Sequence, residues 1–209
     1  MESATIAGLL KAYAAVSAAQ VEQVSAYVDI LLKWNARINL TALRDPAEVV
    51  VRHFGESFFV AERLAQTMQP MTVIDLGSGA GFPGLPFAIF APWAQITLIE
   101  SNGKKATFLS EVISALKLGN AKVFAERAES HPGKADLVTM RGVEKFTDSL
   151  PLAQQLVQSG GRIALMIGAS QMEAARALAA DVRWQQPLPI PGGHSRVLAV
   201  GTKSVIVEQ

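Results

Sequence analysis

Over the first third of the chain, apolar residues return every three or four positions. In QVEQVSAYVDILLKWNARI, Val21, Val24, Val28 and Leu31 fall on one side of a 3.6-residue period, which predicts a helix with one buried face. DPAEVVVRHFGESFFVAERL predicts a second helix. Asp45 is its expected N-cap, and Pro46 fills the first helical position, where a missing N–H costs nothing. NLTALR joins the two, and no internal repeat or low-complexity linker interrupts them. From about Pro70 the period changes. Short apolar runs now alternate with helical patterns: MTVIDL then GLPFAIFAP; AQITLIE then NGKKATFLSEVISALKL; AKVFA; ADLVTM then KFTDSLPLAQQLVQ; GRIALMI then SQMEAARALAA. This alternation predicts an α/β fold of βαβ units, a mostly parallel sheet covered by helices. Phe108, Val112 and Leu116, at steps of four, are expected to pack one helix onto it. The tail, SRVLAVGTKSVIV, has no helical pattern. Gly201 is expected to break its apolar runs, giving a terminal hairpin or an antiparallel edge pair. The change of period divides the chain into a helical extension over residues 1–68, packed on a core over residues 69–209.

Composition narrows the chemistry. Half of the 209 residues are hydrophobic, enough for a large core. There is no cysteine, which excludes disulfides, thiolate metal sites and a Cys nucleophile, and fits a reducing, cytoplasmic compartment. The N-terminus has an early acid, Glu2, and no basic segment, so no signal peptide is expected. No apolar run approaches the roughly 18–20 residues that span a bilayer. The net charge of +1 excludes a strongly basic nucleic-acid coat but allows a small basic patch, or recognition of RNA already held in a protein-rich particle. No His/Asp/Glu cluster has metal-ligand spacing, so no metal is expected. GSG, without a nucleophile elbow around it, does not make a serine hydrolase.

The chemistry concentrates in VIDLGSGAGFPG, residues 73–84. One tight turn needs one glycine; here Gly77, Gly79, Gly81 and Gly84 stand behind a strand, so a ligand is expected to approach the backbone. A dinucleotide fingerprint, G-x-G-x-x-G counted from Gly77, would need glycine where Phe82 stands. Asp75, two residues before the first glycine, would repel a pyrophosphate and attract a cationic group. S-adenosylmethionine carries an ammonium and a sulfonium, so D-x-G-x-G-x-G suits it, with Asp75 facing the positive end directly or through water. Glu100, at the end of the second strand, is placed to accept both hydroxyls of a ribose. ERAES, after the third apolar run, lies where an adenine edge would be read.

These residues, with LLKWNARINLTALRDPAEVVVRHFGES, TLIESNGKKATFL, KLGNAKVFAERAE and DLVTMRGV, resemble the small-subunit ribosomal RNA guanine-N7 methyltransferase G family, also called glucose-inhibited division protein B. The resemblance covers roughly residues 31–167. Trp34-Asn35, Asn39-Leu40-Thr41, Arg52-His53 and Gly81-Phe82-Pro83-Gly84 carry it more specifically than the glycines do. It implies a class I, Rossmann-like S-adenosylmethionine-dependent methyltransferase core with an N-terminal helical extension. It also implies methylation of one guanine in 16S rRNA of the small ribosomal subunit. Carried over by position, it implies that Gly77 and Phe82 contact the methyl donor, that Ala128 and Glu129 lie along the adenosine, and that Arg141 stands at the donor site. The chain departs from the family pattern at Met140 and Gly142 around that arginine, at Ile167 where a lysine is common, and at Glu56-Ser57-Phe58.

Other polar residues are read more plainly. Arg52 faces the donor cleft or RNA phosphates, or forms with His53 a helix-surface pair whose histidine bonds a carbonyl. Trp34 continues an amphipathic face, so it reads as core before it reads as a base-stacker, and Asn35 and Asn39 are expected to satisfy turn backbone. Arg37, Arg44, Lys104, Lys105, Lys122 and Arg127 are solvated positives that form an RNA rim only if the fold gathers them; Lys104 and Lys105, with Arg52 and His53, are the candidates for RNA contact. His131 and His194 are isolated. No side chain is expected as nucleophile or general base, and the enzyme is expected to act as a monomer. Two rival readings use the same fold: a nicotinamide-dependent oxidoreductase, disfavoured by Asp75 and Phe82, and a non-catalytic ribosome-assembly factor.

Overall fold

The computed structural model describes residues 1–65, 71–142, 146–193 and 195–205. The expected boundary at 68/69, Pro70 and His194 lie outside these residues. The chain starts with helices α1 (Ser3–Leu10) and α2 (Ala18–Asn35). A capping box opens α2: the Ser17 hydroxyl accepts from Gln20 N, and the Gln20 side chain accepts from Ser17 N at 2.8 Å. Val21, Val24, Val28 and Leu31 are all buried, as their period requires, and Tyr27 lies beside them. Helix α3 (Pro46–Val49), a π-helical turn (Val50–Gly55) and α4 (Glu56–Ala65) then follow without a break. Asp45 caps this run by accepting from Glu48 N at 2.9 Å, and Pro46 takes the first position, both as expected. The π turn was not legible in the sequence pattern, because a widened turn barely changes the apolar period.

From residue 71 the strands and helices alternate: β1 (Met71–Leu76), α5 (Gly84–Phe90), β2 (Ala94–Ile99), α6 (Gly103–Ala115), β3 (Ala121–Phe124), β4 (Ala135–Arg141), α7 (Phe146–Leu156), β5 (Val157–Gly168), α8 (Met172–Leu178), β6 (Val182–Trp184), β7 (Leu188–Pro189) and β8 (Arg196–Lys203). They form one eight-stranded sheet, ordered β3-β2-β1-β4-β5-β8-β6, with β7 also pairing β8. The first five strands run parallel, and β8 runs antiparallel to β5, β6 and β7. The tail therefore differs from the expected break at Gly201. One strand continues through Gly201 and lies inside the sheet, between β5 and β6. Glycine serves close approach there: a Cβ would stand 2.3 Å from Val182 Cγ1.

Strand alternation sorts the core into two layers. Val73, Leu98, Leu137, Ala164 and Leu198 join one apolar cluster, which continues through α5 and α6 into α2, the π turn and α1. Their neighbours Ile74, Ile99, Val138, Leu165 and Ala199 face the other way, against α7 and α8. The N-terminal helices thus share the first cluster with the face that carries α5, next to the loop that leaves β1.

Candidate functional site

The parallel strands β1, β2 and β4 end side by side, and the β1–α5 loop crosses their C-terminal edge. Gly77 N and Ser78 N both donate to Ile99 O at 3.0 Å, which ties the loop to the end of β2. Gly77 (φ +69°) and Gly79 (φ +55°) adopt left-handed backbone, and a side chain at either would project into nearly open space: nothing lies within 4 Å at Gly77, and only the Gly77 carbonyl at Gly79. Both line a cavity of about 580 Å³ with Phe82, Glu100, His53 and Arg141. Gly81 and Gly84 face the other way. A Cβ at Gly81 would meet Tyr27 Oη at 2.3 Å, and one at Gly84 would meet Leu98 Cδ2 at 2.3 Å. Two of the four glycines therefore open onto the cavity, and two let the loop settle on the core.

Glu100 stands at the rim. Its Oε2 accepts from Gly79 N at 2.9 Å and its Oε1 from Asn102 N at 2.8 Å. Each carboxylate oxygen keeps a further lone pair for a ligand hydroxyl. A second cavity, about 460 Å³, shares Gly77, Glu100 and Ser101 with the first and is walled on its far side by Ala128 and Glu129. Asp75 sits beneath the loop at 1% exposure. Its Oδ1 accepts from the Thr139 hydroxyl at 2.8 Å and its Oδ2 from Gly84 N at 3.2 Å, at the start of α5. Burial pushes its pKa up to about 6, against those hydrogen bonds.

The opposite wall is a charged cluster set by the π turn. Arg141 Nη2 donates to the Arg52 carbonyl at 2.7 Å, contacts His53 Nδ1 at 3.1 Å and pairs with Glu56 Oε2 at 3.2 Å. Glu56 Oε1 pairs with Arg196, whose residue lies opposite Gly168 in the β5–β8 register. A guanidinium only donates, so His53 Nδ1 accepts; the ring hydrogen is on Nε2, which donates to Thr41 Oγ1 at 2.7 Å. Burial, then the positive fields of Arg141, Arg196 and Arg52, lower the His53 pKa to about 3, and burial lowers that of Arg141 to about 10. One carboxylate thus faces two guanidinium groups, and Arg141 Nη1 is buried with no hydrogen-bond partner among the described residues. The Phe82 ring stacks with His53 (centroids 4.6 Å apart) and with Tyr27 (5.5 Å).

The structure brings Gly77, Gly79, Phe82, Glu100 and Arg141 around one cavity and Ala128 and Glu129 around its neighbour. His53 and Lys105 also line the first cavity, whereas Arg52 and Lys104 are exposed outside it. Asn35 does satisfy a turn: its side chain bonds backbone at Leu40, Thr41 and Leu43. Trp34 is tethered to α6 through a 3.0 Å bond to Glu111 and packs on Phe108. Ile167 is buried in the second apolar cluster. Sequence reasoning missed Tyr27, Thr41 and Arg196, and noted Glu56 only as a departure. A carboxylate four residues after Arg52, on the face of the same helical run, was the available signal for Glu56. Thr41 stood in the motif Asn39-Leu40-Thr41 without a role assigned to it, and nothing local marked Tyr27 or Arg196. Among the described residues, no group of three His, Asp or Glu side chains could hold a metal, and no helix is long and apolar enough to cross a membrane.

The family model described as rRNA small subunit methyltransferase G matches residues 20–194. The ribosomal RNA small subunit methyltransferase G of Xanthomonas euvesicatoria pv. vesicatoria is 40% identical over 170 residues, covering 79% of this chain and 78% of that protein. Its counterpart in Roseiflexus castenholzii is 38% identical over 197 residues, covering 88% and 83%. Among solved structures, a ribosomal protein L11 methylase from Lactobacillus delbrueckii subsp. bulgaricus superposes with a TM-score of 0.60 at 14% identity, covering 74% of this chain and 79% of that one. An S-adenosylmethionine-dependent O-methyltransferase from Thermotoga maritima gives 0.60 at 15% identity, covering 86% and 73%. These two share the fold, a class I methyltransferase core.

Proposed function

The chain belongs to the rRNA small subunit methyltransferase G family, and from that premise we propose that it transfers the methyl group of S-adenosylmethionine to N7 of one guanine in 16S rRNA, acting on the small ribosomal subunit. The observation that carries the reading is the pair of cavities meeting at Gly77 and Glu100, with an unpartnered Arg141 Nη1 at one end. The residues fit the cofactor. Glu100 keeps lone pairs for both ribose hydroxyls, Ala128 and Glu129 border the space for the adenine, and Gly77 and Gly79 leave the backbone open to close approach. The surplus positive charge around Arg141 suits the carboxylate of the methionine end. Family membership does not favour the oxidoreductase or a non-catalytic assembly factor.

S-adenosylmethionine, when bound, supplies an electrophilic methyl group on a sulfonium. Guanine N7 carries a free lone pair in the ring plane and no proton, so no base has to act. The protein's part is to orient and to exclude water. Phe82 and His53 give the cavity an aromatic wall, and the low pKa of His53 keeps that wall uncharged beside a cationic donor. In this reading the working unit is a monomer. A ribosomal substrate places the work in the cytoplasm.

The test is methyl transfer to small subunits from a strain lacking this modification, with methyl-labelled S-adenosylmethionine. Label in 16S rRNA, with chain cleavage specific for 7-methylguanine at one position, is the expected result. Label on an exocyclic nitrogen or a ribose, or none, would overturn the assignment.

A further inference from the structure

Resting on the reading of the glycine loop as the methyl-donor site, we propose that Tyr27, on the N-terminal helix α2, is a positioning residue of that site. It holds the loop in its donor-accepting shape from behind, through the Ala80 carbonyl and the Phe82 ring. Tyr27 is 0% exposed and does not line the donor cavity. Its hydroxyl donates to Ala80 O at 2.6 Å. Its ring lies parallel to Phe82, at 5.5 Å and 5°, and edge-on to Phe54 at 5.0 Å.

The Ala80–Gly81 peptide explains why this matters. A peptide is a rigid plane, so its C=O and N–H turn together. Here the C=O accepts from Tyr27, and the N–H donates to Ser78 O at 2.7 Å. The residues on either side of Ala80 are Gly79 and Gly81, both with positive φ and both free to rotate through conformations closed to other residues. That plane turns about ψ of Ala80 and φ of Gly81, and glycine at 81 sets little steric barrier to the turn, so the plane is fixed by what holds its two edges. A change in either torsion shifts Phe82, whose ring walls the cavity, relative to Gly79, whose N–H is bonded to Glu100. Tyr27 also explains the residue at 81. A side chain there would overlap its hydroxyl, so the helical extension and the loop fit each other atom to atom. Burial and the nearby Asp75 raise the Tyr27 pKa well above its usual 10, so the phenol keeps its proton and remains a donor.

The experiment compares the full chain with Tyr27→Phe, which keeps both ring contacts and removes only the hydroxyl. Calorimetric titration is expected to show S-adenosylmethionine Kd raised about tenfold. KM for the donor should rise in parallel, while kcat on saturating small subunits stays within about twofold. Amide exchange at Gly81 in the ligand-free protein should accelerate. A 4-aminophenylalanine at position 27, which restores a donor at the same place, should bind within about twofold of wild type. Leu156→Ala, in the opposite apolar layer, controls for general destabilisation and should leave Kd unmoved. A folded Tyr27→Phe with wild-type Kd, a rescue variant as weak as Tyr27→Phe, or a Leu156→Ala that weakens binding equally would overturn the proposal. Failure of the wild-type chain to bind the donor would instead overturn the reading of the cavity.

Discussion

At the scale of single residues, the site depends on ionisable groups held away from their ordinary states. Asp75 is the clearest. Burial sets its folded pKa at about 6, above the 3.8 of a free side chain. The folded state therefore holds a proton at Asp75 more readily than the unfolded chain does. That contribution to stability is full below about pH 4 and is lost as pH rises toward 6; at neutral pH a charged carboxylate stays in the core at a cost. Asp75→Asn keeps an acceptor for Gly84 N and turns its amide to the Thr139 oxygen. It is expected to raise stability to urea by about 1–2 kcal/mol at pH 7.5, part of the roughly 3 kcal/mol that a two-unit shift represents, with the gain vanishing near pH 4. An equal gain at both pH values would show that ionisation is not its source. His53 is displaced in the opposite sense. With a pKa of about 3 it stays neutral from pH 6.5 to 9 and is a poor proton acceptor there. His131 sits elsewhere, against Phe124. The single-turnover methylation rate on saturating substrate is therefore expected to be nearly flat over that range. A tenfold rise per pH unit would reveal a base, and would point to a protonated nitrogen or a hydroxyl as target rather than N7.

At the scale of elements, the π turn is what converts a helix into a wall of the site. It lies between α3 and α4, and from it Arg52 presents a carbonyl to Arg141 and His53 presents a ring to Phe82. Its last residue, Gly55, has no need of a special φ; the constraint is space. A Cβ there would sit 2.7 Å from the Tyr13 ring, which is itself buried. Gly55→Ala is expected to destabilise the protein by about 1–3 kcal/mol, the usual cost of overpacking. Combined with Tyr13→Ala, the two losses should fall short of their sum, because the second substitution removes the clash. Urea unfolding of the four proteins of this cycle measures the coupling, and strict additivity would mean that the turn relaxes without Tyr13.

At the scale of the whole molecule, charge and shape bear on the substrate. A net charge of +1 leaves few excess positives to neutralise phosphates. Lys105 lines the cavity of the glycine loop, but Lys104 and Arg52 are exposed outside it, and Lys122 lines a separate cleft with Thr72 and His131. Free RNA is therefore expected to bind weakly and with a shallow dependence on salt. Intact small subunits should be methylated far better than protein-free 16S rRNA. Equal rates on both substrates would contradict this.

The sequence alone determined what depends on neighbours along the chain. The periods of Val21, Val24, Val28 and Leu31, and of the short apolar runs after residue 70, decided helix and strand, because each residue's face follows from its position in the repeat. Asp45-Pro46 marked a helix start, because capping is a contact within one turn. The glycine loop, with Glu100 at the next strand end, marked the cavity, because parallel strands bring their ends together in any such sheet. Tertiary structure alone decided the rest. That Gly81 answers to Tyr27, 54 positions earlier, that Asp75 turns into the core toward Thr139, and that Glu56 gathers Arg141 and Arg196 are all pairings between distant segments. No local pattern records such pairings, since they exist only where packed layers bring the side chains within a few ångströms. The tail shows the same limit. Gly201 reads as a strand breaker by its own flexibility, yet it stays extended because β5 and β6 pair with it on both sides, and Val182 and Trp184 leave room there for nothing larger.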